Sequence, residues 1–376
     1  MKKIILSLLI TIAVAFIIVI GIKPDLLERI GSTRITSSKP PIILVHGFNQ
    51  SSDFWNKINL ISELEETGTI YMGNFHSKDK SSKSKIQLIT KNDIKEGQSA
   101  VYTLSLPEKG TKDIRDSGIL LEKVIQEVTD RHRCEKVRLI AFSAGGVVCR
   151  EYLTNHLKEH HVASLTTIST PHMGSEHAWL SVNYHNLKST LKSLELNNNG
   201  NLLSKGTNYA TSFAIDQFTS RLEQWGNDAG IDINSQCAFM LAEPEHGNYL
   251  DNLSKSPHPT DVHYSCIITE ESILNYNWQK LKSDFSTIKS GNFTNTSIAD
   301  NLLDLARNGL GRLDKISSQF SSLKFRGDGV VSKFSQNINN TESFKNNTSI
   351  HASIIQLESD HGGASMKSAI MKSLYQ

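Results

Sequence analysis

The chain has 376 residues, of which 38% are hydrophobic and 21% are charged, and its formal net charge is +2 at pH 7. This length suits one large domain with an insertion or two ordinary domains, and the hydrophobic fraction suffices for a packed core. The near balance of charge excludes the strongly basic surface that nucleic-acid-binding proteins present. We therefore expect an ordinary globular protein without a nucleic acid partner.

A predominantly apolar run occupies residues 4–22, directly after Lys2 and Lys3. About 19 apolar residues can cross a bilayer as a helix, and the run is longer than the core of a usual cleaved signal peptide. We predict a signal anchor over residues 1–24 that leaves the rest of the chain outside the cytoplasm. The alternative is a cleaved signal and a secreted protein. Residues 25–40 are rich in Ser and Thr and are predicted to be a linker.

The first sheet strand is predicted at residues 42–45, where the apolar run IILV is typical of a buried parallel strand. His-Gly-Phe follows directly at residues 46–48. An apolar stripe then predicts a helix over about 53–66, and later patterns predict a strand at 100–106 and a helix over 111–133. Strands that alternate with helices in this way indicate a parallel sheet with helices covering it.

Ser143 lies in a sharp turn between a predicted strand, the apolar run at 137–141, and a predicted helix. The small residues Ala144, Gly145 and Gly146 follow it. Small neighbours let the backbone take the strained conformation that lifts a serine hydroxyl clear of a sheet. The helix also directs its N-terminal amides and positive dipole end at the same place, where they can stabilise an oxyanion. The pattern therefore makes Ser143 a candidate nucleophile.

The stretch A-F-S-A-G at residues 141–145 resembles the nucleophile elbow of the α/β-hydrolases, whose usual pattern is G-x-S-x-G. The first glycine of that pattern is replaced by Ala141, the smallest possible departure. The resemblance implies that Ser143 is the nucleophile of an acyl-transfer reaction. A Ser-Ala-Gly-Gly turn without chemistry is the alternative interpretation of the elbow taken alone.

The His-Gly pair after the first strand is similar to the oxyanion-hole loop of lipases and esterases. The resemblance implies that the backbone amides of Phe48 and Ala144 form the oxyanion hole, and that Gly47 lets the backbone come close to the substrate oxygen. His46 is expected to brace its neighbours, with direct catalysis as the alternative. Phe54 is a candidate for the border of an acyl pocket, with core packing as the alternative.

Thr-Pro-His-Met-Gly-Ser at residues 170–175 follows a further predicted strand at 164–169. It is similar to a segment of lipases and of deacylases acting on glycosylphosphatidylinositol, at the same place in the chain order. We interpret it as a shaped loop beside the site and not as a source of catalytic groups. Phe48, Phe54 and Met173 are the side chains that we expect to contact the substrate.

Residues 176–321 do not continue the alternation of strands and helices. A connection of this length is far beyond an ordinary loop, and we predict an inserted cap or lid subdomain. Cys237 and Cys266 both lie in this range, and an exported protein can join them by a disulfide, although the sequence does not establish the pairing. The histidines of the range are expected at the surface and not on a metal ion.

Gly-Asp-Gly-Val-Val-Ser at residues 327–332 is similar to the lipase loop that carries the acidic member of the catalytic triad, here Asp328. A last strand is predicted at 349–357 and a terminal helix over 364–374. His361 lies between them, where the α/β-hydrolases place the general base. Ser143, Asp328 and His361 also occur in the chain order of that family.

Together these patterns predict an α/β fold of the α/β-hydrolase type, a mostly parallel sheet with helices on both faces and a large inserted cap. The predicted units are the anchor at 1–24, the linker at 25–40, the core at 41–175 and 322–376, and the cap at 176–321. The predicted function is a lipase-like serine ester hydrolase that cleaves lipid or small acyl esters and needs no metal or cofactor.

Two alternatives remain open at the level of sequence. An acyltransferase of the same fold uses the same triad and passes the acyl group to an alcohol other than water. A membrane-anchored binding protein of the same fold has no activity. The presence of all three residues, Ser143, Asp328 and His361, argues against the binding protein, because a protein that has lost its activity usually also loses a catalytic residue.

Overall fold

The structure of the chain is a computed structural model, which describes residues 39–78, 85–90, 92, 98–175, 178, 235–242, 248–270, 331–358 and 364–374. The predicted signal anchor, most of the predicted linker, and the predicted triad members Asp328 and His361 lie outside the described residues. In the described part of the chain, no helix has both the length and the apolar character needed to cross a membrane.

Eight strands of the described chain form one sheet: β1 (Ile42–Val45), β2 (Thr69–Ser77), β3 (Ile86–Thr90), β4 (Ser99–Leu104), β5 (Val137–Phe142), β6 (Val162–Ile168), β7 (His263–Glu270) and β8 (Ala352–Glu358). Their order across the sheet is β3-β2-β4-β1-β5-β6-β7-β8. All neighbouring pairs are parallel except β2 with β3, which is antiparallel at one edge. Because β1 and β4 to β8 run the same way, their carboxyl ends meet at one edge of the sheet, where ligands of open α/β sheets bind.

Helices cover both faces of this sheet. The described helices are α1 (Phe54–Lys57), α2 (Leu60–Glu66), α3 (Ile114–His132), α4 (Ala144–Asn155), α5 (Gln236–Leu241), α6 (Tyr249–Lys255), α7 (Lys333–Gln336), α8 (Glu342–Lys345) and α9 (Ala364–Leu374). On one face of the sheet β1 and β5 pack against α3 and α4 in a large apolar cluster, and on the other face they pack against α1, α2 and α9. The continuous apolar run of β1 is fully buried because both of its faces are covered.

The predicted helix over 53–66 forms as two short helices, α1 and α2. Asn59 lies between them in the left-handed conformation, with φ 57° and ψ 25°. Asparagine tolerates this conformation better than most residues do, and it breaks the helical hydrogen-bond pattern there. The apolar stripe still faces the core, with Trp55, Leu60 and Leu64 buried.

The predicted cap at 176–321 contains part of the sheet. Strand β7 lies within that range and pairs in parallel with β6 on one side and β8 on the other. The interpretation of 176–321 as one uninterrupted insertion is therefore wrong at β7. The strand was missed because its sequence, HYSCIITE, carries polar residues at positions that the covering helices bury.

The pairing of Cys237 with Cys266, which the sequence left open, is not formed in the structure, where all four cysteines of the chain are free thiols. Cys266 lies inside β7, where its Sγ is 3.4 Å from the Oγ1 of Thr167. Cys237 lies in α5, whose backbone bonds to Thr111. Burial raises the pKa of both thiols above the ordinary value, so both stay protonated.

Candidate active site

Ser143 is the residue where β5 passes into α4, and its backbone has φ 50° and ψ −127°. A side chain other than glycine rarely takes a positive φ, and such strain persists only where the surrounding structure enforces it. Here the Ser143 N–H donates to the carbonyl of Ile168 at 2.8 Å, and the Ser143 carbonyl accepts from Gly146 at 3.0 Å. The side chain is only partly buried. The structure thus shows the sharp strand-to-helix turn that the sequence predicts.

The loop after β1 touches this turn directly. A Cβ atom placed on Gly47 would lie 2.8 Å from the Cβ of Ser143, closer than real Cβ contacts allow. A Cβ placed on Gly145, in the first turn of α4, would lie 2.5 Å from the carbonyl oxygen of His46. Both positions therefore require glycine, and together they bring the Gly47–Phe48 peptide and the start of α4 to the two sides of Ser143.

His46 is fully buried and fixes the peptide after Gly47. Its Nε2 accepts a hydrogen bond of 2.9 Å from the Leu106 N–H, so the proton of the neutral ring is on Nδ1, which donates to the Gly47 carbonyl at 2.8 Å. Burial lowers the pKa of His46 to about 4, which keeps the ring neutral. In a trans peptide the N–H points opposite to the carbonyl. The Phe48 N–H therefore points away from the His46 ring.

The segment after β4 holds the same loop from its other side. The Gln50 N–H donates to the Lys109 carbonyl at 3.2 Å, and Ser105 Oγ donates to Ser52 Oγ at 3.2 Å. Glu108 and Lys109 both have positive φ, at 44° and 59°. Two successive residues with positive φ raise the conformational free energy of the segment, and such strained residues cluster in functional loops.

The Thr-Pro-His loop after β6 packs against the elbow. The Thr170 hydroxyl donates to the Ser143 carbonyl at 3.0 Å. A Cβ on Gly146 would meet the Thr170 side chain at 2.2 Å, so the loop and the helix are in close contact. The interpretation of 170–175 as a shaped loop agrees with this position, but the bond from Thr170 was not foreseen.

Arg150, on α4, is a fully buried charge below the elbow. Its Nε donates to His258 Nε2 at 3.2 Å, and its other nitrogens donate to the carbonyls of His172 at 3.0 Å and Leu253 at 3.2 Å. Burial, and then the charge of Arg150, lower the pKa of both histidines well below the ordinary value, so they remain neutral. The expectation that the histidines of 176–321 are at the surface is wrong for His258.

The three predicted substrate-contacting side chains are all partly buried. Phe54 stacks at 4.4 Å between ring centroids on Phe142, the residue before Ser143, which places it beside the elbow. Phe48 packs against the core cluster that contains α4. The Met173 N–H donates to Ser335 Oγ, and its sulfur accepts from Ser254 Oγ at 3.7 Å, so this side chain is directed towards α6.

Asp328 and His361 lie outside the described residues, but their flanking residues are described. Val331 and α7 lie at the carboxyl end of β7, where Gln336 binds Thr269. The end of β8 and the start of α9 bracket residues 359–363. Since β7 and β8 are parallel to β5, these flanking residues lie at the same edge of the sheet as Ser143. The triad itself stays a prediction.

Sequence reasoning missed Thr170, Arg150 and Gln336. One feature of the sequence could have identified Arg150: it lies three residues after Val147 and so on the same apolar side of the helix. A charge at such a position indicates a buried hydrogen-bond network. Within the described ranges, no group of three or more His, Cys, Asp or Glu side chains is arranged to hold a metal ion.

Comparison with known proteins agrees with this geometry. A family profile described as alpha/beta hydrolase fold matches residues 40–214. Triacylglycerol lipase 2 of Saccharomyces cerevisiae is 38% identical over 82 residues, which span 21% of this chain and only 25% of that lipase.

Two solved structures are similar at low identity. The lin2722 gene product of Listeria innocua has a TM-score of 0.44 and 13% identity, covering 90% of this chain and 92% of that one. Lipase BlEst2 of Bacillus licheniformis in its mature form has a TM-score of 0.37 and 20% identity, covering 67% and 76%. With its parallel sheet, its strand-to-helix turn at Ser143 and the profile match over residues 40–214, the chain has the α/β-hydrolase fold, and over 82 residues it is similar to a triacylglycerol lipase.

Proposed function

We propose that the protein is a serine ester hydrolase that cleaves lipid or other acyl esters through Ser143, Asp328 and His361. The observation that carries the proposal is the strained Ser143, held between the Gly47–Phe48 peptide and the first turn of α4. A binding protein has no need of a strained, partly exposed serine at this point. The similarity to a triacylglycerol lipase over part of the chain supports the ester as substrate class.

In the proposed reaction, His361 takes the proton of the Ser143 hydroxyl as its oxygen attacks the ester carbonyl carbon. The C=O π electrons move onto the carbonyl oxygen to give a tetrahedral oxyanion. His361 then gives the proton to the leaving alcohol as the C–O bond breaks, which leaves an acyl-enzyme. A water molecule then attacks the acyl-enzyme in the same way, with His361 taking its proton and returning it to the Ser143 oxygen, and the carboxylic acid is released. Asp328 holds the imidazole in the required tautomer and stabilises its protonated form.

The oxyanion hole consists of the N–H groups of Phe48 and Ala144. Ala144 is the first residue of α4, so its N–H has no acceptor within the helix, and the helix dipole adds a positive potential there. Hydrogen bonds to the Gly47 carbonyl and to the His46 ring hold the Phe48 peptide before substrate arrives. Removal of one such donor costs about 3 kcal/mol of transition-state stabilisation in a serine protease.

The acyl chain of the substrate is proposed to lie along Phe48 and Phe54. Phe54 packs on the buried Phe142 directly beside the elbow, and its partly buried ring offers an apolar contact for methylene groups. Met173, whose sulfur is engaged by Ser254, is proposed to border the pocket through its backbone loop and not to hold the acyl chain. The anchor at residues 1–24 would bring this site to a membrane surface.

The test uses the full chain in detergent, the variant Ser143→Ala, and the exposed control Ser349→Ala. Each is assayed against p-nitrophenyl esters of short and long acyl chains and labelled with a fluorophosphonate. We expect turnover and labelling in the parent protein and in Ser349→Ala, and neither in Ser143→Ala. A folded parent protein that neither turns over an ester nor takes the label would overturn the proposal. Faster turnover with an added alcohol acceptor than with water would indicate an acyltransferase.

A further inference from the structure

The loop after β6 lies along one face of α4, the helix that follows Ser143. The Thr170 hydroxyl donates to the Ser143 carbonyl at 3.0 Å, and a Cβ on Gly146 would collide with the Thr170 side chain. Further along α4, Arg150 Nη1 donates to the His172 carbonyl at 3.0 Å. Seven residues make almost two helical turns, so Arg150 lies on the same face as Ser143, about 10 Å along the helix axis. The loop is therefore attached to α4 at two points of one face.

A tight turn connects these two attachment points within the loop. The His172 N–H donates to the Thr170 carbonyl at 2.9 Å, with Pro171 between them. The proline ring fixes its own φ, so the turn has few other conformations. A shift of His172 is therefore passed on to Thr170, and through its hydroxyl to the Ser143 carbonyl.

Arg150 also contacts the imidazole of His172. Its Nη1 lies 3.5 Å from His172 Nδ1, and His172 Nε2 lies 3.1 Å from the Thr167 Oγ1 of β6. A guanidinium group only donates hydrogen bonds, so Nδ1 is the acceptor and the proton of the neutral ring is on Nε2, which donates to Thr167. Both the backbone and the ring of His172 are thus oriented by one nitrogen of Arg150.

The other donors of Arg150 fix the plane of its guanidinium group. Nε donates to His258 Nε2 at 3.2 Å, and Nη2 donates to the Leu253 carbonyl at 3.2 Å. Because the five N–H groups of a guanidinium have fixed directions, these two bonds also determine where Nη1 points. Burial lowers the pKa of Arg150 to about 10, so the group keeps its charge near neutral pH.

Ser335 holds the same loop from α7. Its carbonyl accepts from the His172 N–H at 2.9 Å, and its Oγ accepts from the Met173 N–H at 3.1 Å and donates to the Gly174 carbonyl. These bonds place the loop relative to α7. Among the hydrogen bonds of the described chain, those from Arg150 are the ones that attach His172 to α4.

We propose that Arg150 is a positioning residue for Ser143, because it holds His172, and through it Thr170, against the helix that follows the nucleophile. Ser143 has a φ of 50°, and such a strained conformation persists only where its surroundings enforce it. The inference rests on the proposed function, since it takes Ser143 as the nucleophile. Arg150 is fully buried and two helical turns from Ser143, so it acts through the loop and not on the substrate.

The experiment compares Arg150→Met and Arg150→Lys with the parent protein, as full chains in detergent. It measures kcat and KM for a soluble p-nitrophenyl ester, and the second-order rate constant of fluorophosphonate labelling, which reports the reactivity of Ser143. A misplacement of about 1 Å costs about 100-fold in rate, and the loop keeps its Ser335 bonds, so we expect kcat and the labelling rate to fall about tenfold in Arg150→Met. KM should stay within about threefold, and Arg150→Lys should recover part of the loss because it keeps a cationic donor.

Tyr102→Phe is the control for general loss of stability. The Tyr102 hydroxyl lies 2.8 Å from His132 Nε2 in a buried pair between β4 and α3, away from the loop after β6. Its removal leaves a buried ring nitrogen without its partner, which destabilises the fold. We expect kcat and the labelling rate of Tyr102→Phe to stay within about threefold of the parent values at temperatures where circular dichroism shows it folded.

A double-mutant cycle tests the route through Thr170. If Arg150 acts through the Thr170 hydroxyl, Thr170→Val lowers kcat in the parent protein but has little further effect in Arg150→Met. Thr154→Val removes a similar bond, from the Thr154 hydroxyl to the Glu151 carbonyl, and is expected to leave kcat unchanged in both backgrounds.

Three results would overturn the inference while leaving the proposed function intact. These are labelling of Arg150→Met at the parent rate, equal losses of kcat in Arg150→Met and Tyr102→Phe, and full additivity of Arg150→Met with Thr170→Val. If Arg150→Met does not fold, the same comparisons are made with Arg150→Lys. A folded parent protein without turnover or labelling would overturn the proposed function, and the inference with it.

Discussion

The hydroxyl of Thr170 donates a 3.0 Å hydrogen bond to the carbonyl oxygen of Ser143, across 27 residues of sequence. That carbonyl belongs to the residue with the strained φ of 50°. A strained conformation persists only where its surroundings favour it over relaxed alternatives. The loop after β6 therefore helps to hold the backbone of Ser143, the proposed nucleophile.

Thr170→Val is expected to lower kcat about tenfold and the free energy of unfolding by about 1 kcal/mol, since it removes this bond and keeps the shape of the side chain. Thr154→Val is the control, because the Thr154 hydroxyl also binds a backbone carbonyl, that of Glu151, near the other end of α4. It should change stability by a similar amount without changing kcat. Steady-state kinetics and urea unfolding measure both effects. Equal kcat values for the two variants would show that the Thr170 bond has no part in the elbow.

Gly47→Ala is expected to reduce kcat at least 100-fold, because the added Cβ would lie 2.8 Å from the Cβ of Ser143 and must displace one of the two chains. Gly68→Ala is the comparison. Gly68 has φ 85° and no atom within 4 Å of the added Cβ, so alanine there strains only the local backbone. We expect Gly68→Ala to lower stability and keep kcat. Rapid fluorophosphonate labelling of Gly47→Ala would contradict the assigned oxyanion loop.

The free energy of unfolding is expected to fall as the pH is lowered from about 6.5 to about 4. Burial lowers the pKa of His46 and of His132 to about 4 in the folded protein. Between that value and the unfolded value of about 6.5, the unfolded chain binds protons that the folded chain does not, so protonation favours unfolding. Below about pH 4 both rings are protonated in the folded and in the unfolded chain, so they add nothing further to the pH dependence of the free energy of unfolding.

Urea unfolding at several pH values between 7 and 4.5 measures this slope. His46→Gln and His132→Gln each remove one titrating group, so each should flatten the pH dependence, whatever its effect on stability at pH 7. A parent protein of constant stability from pH 7 to 5 would show that these rings are not kept neutral by burial.

Arg150→Met is expected to lower the free energy of unfolding by about 3 kcal/mol or more. It leaves the carbonyls of His172 and Leu253 buried without their donors, and each such loss costs about 1–3 kcal/mol. The free energy of unfolding of Arg150→Lys should lie between those of the parent protein and Arg150→Met, because an ammonium group cannot reach all the acceptors at once. Arg115→Met, at a largely exposed side chain, should cost less than about 1 kcal/mol. Denaturant titrations compare the four proteins, and equal midpoints for both methionine variants would contradict the assigned network.

Much of the fold could be predicted because its signals are local. The strand, turn and helix around Ser143 follow from residues 137–153, and the strands at 42–45 and the helix over 364–374 appear where their patterns indicate. Edge strand β3 was missed because Ile89 and its neighbours are half exposed and lack a clear apolar face. Strand β7 was missed because its polar residues are paired by partners distant in sequence.

The sequence by itself determined the elements around the elbow, because backbone strain, glycine positions and apolar periodicity depend on residues within a few positions of one another. Only the tertiary structure decided what holds those elements in place. Thr269 is bound by Gln336 across 67 residues, and Arg150 binds the Leu253 carbonyl across 103. Such pairs carry no local pattern, since a buried amide or guanidinium is stable only where the folded chain brings its partners to it.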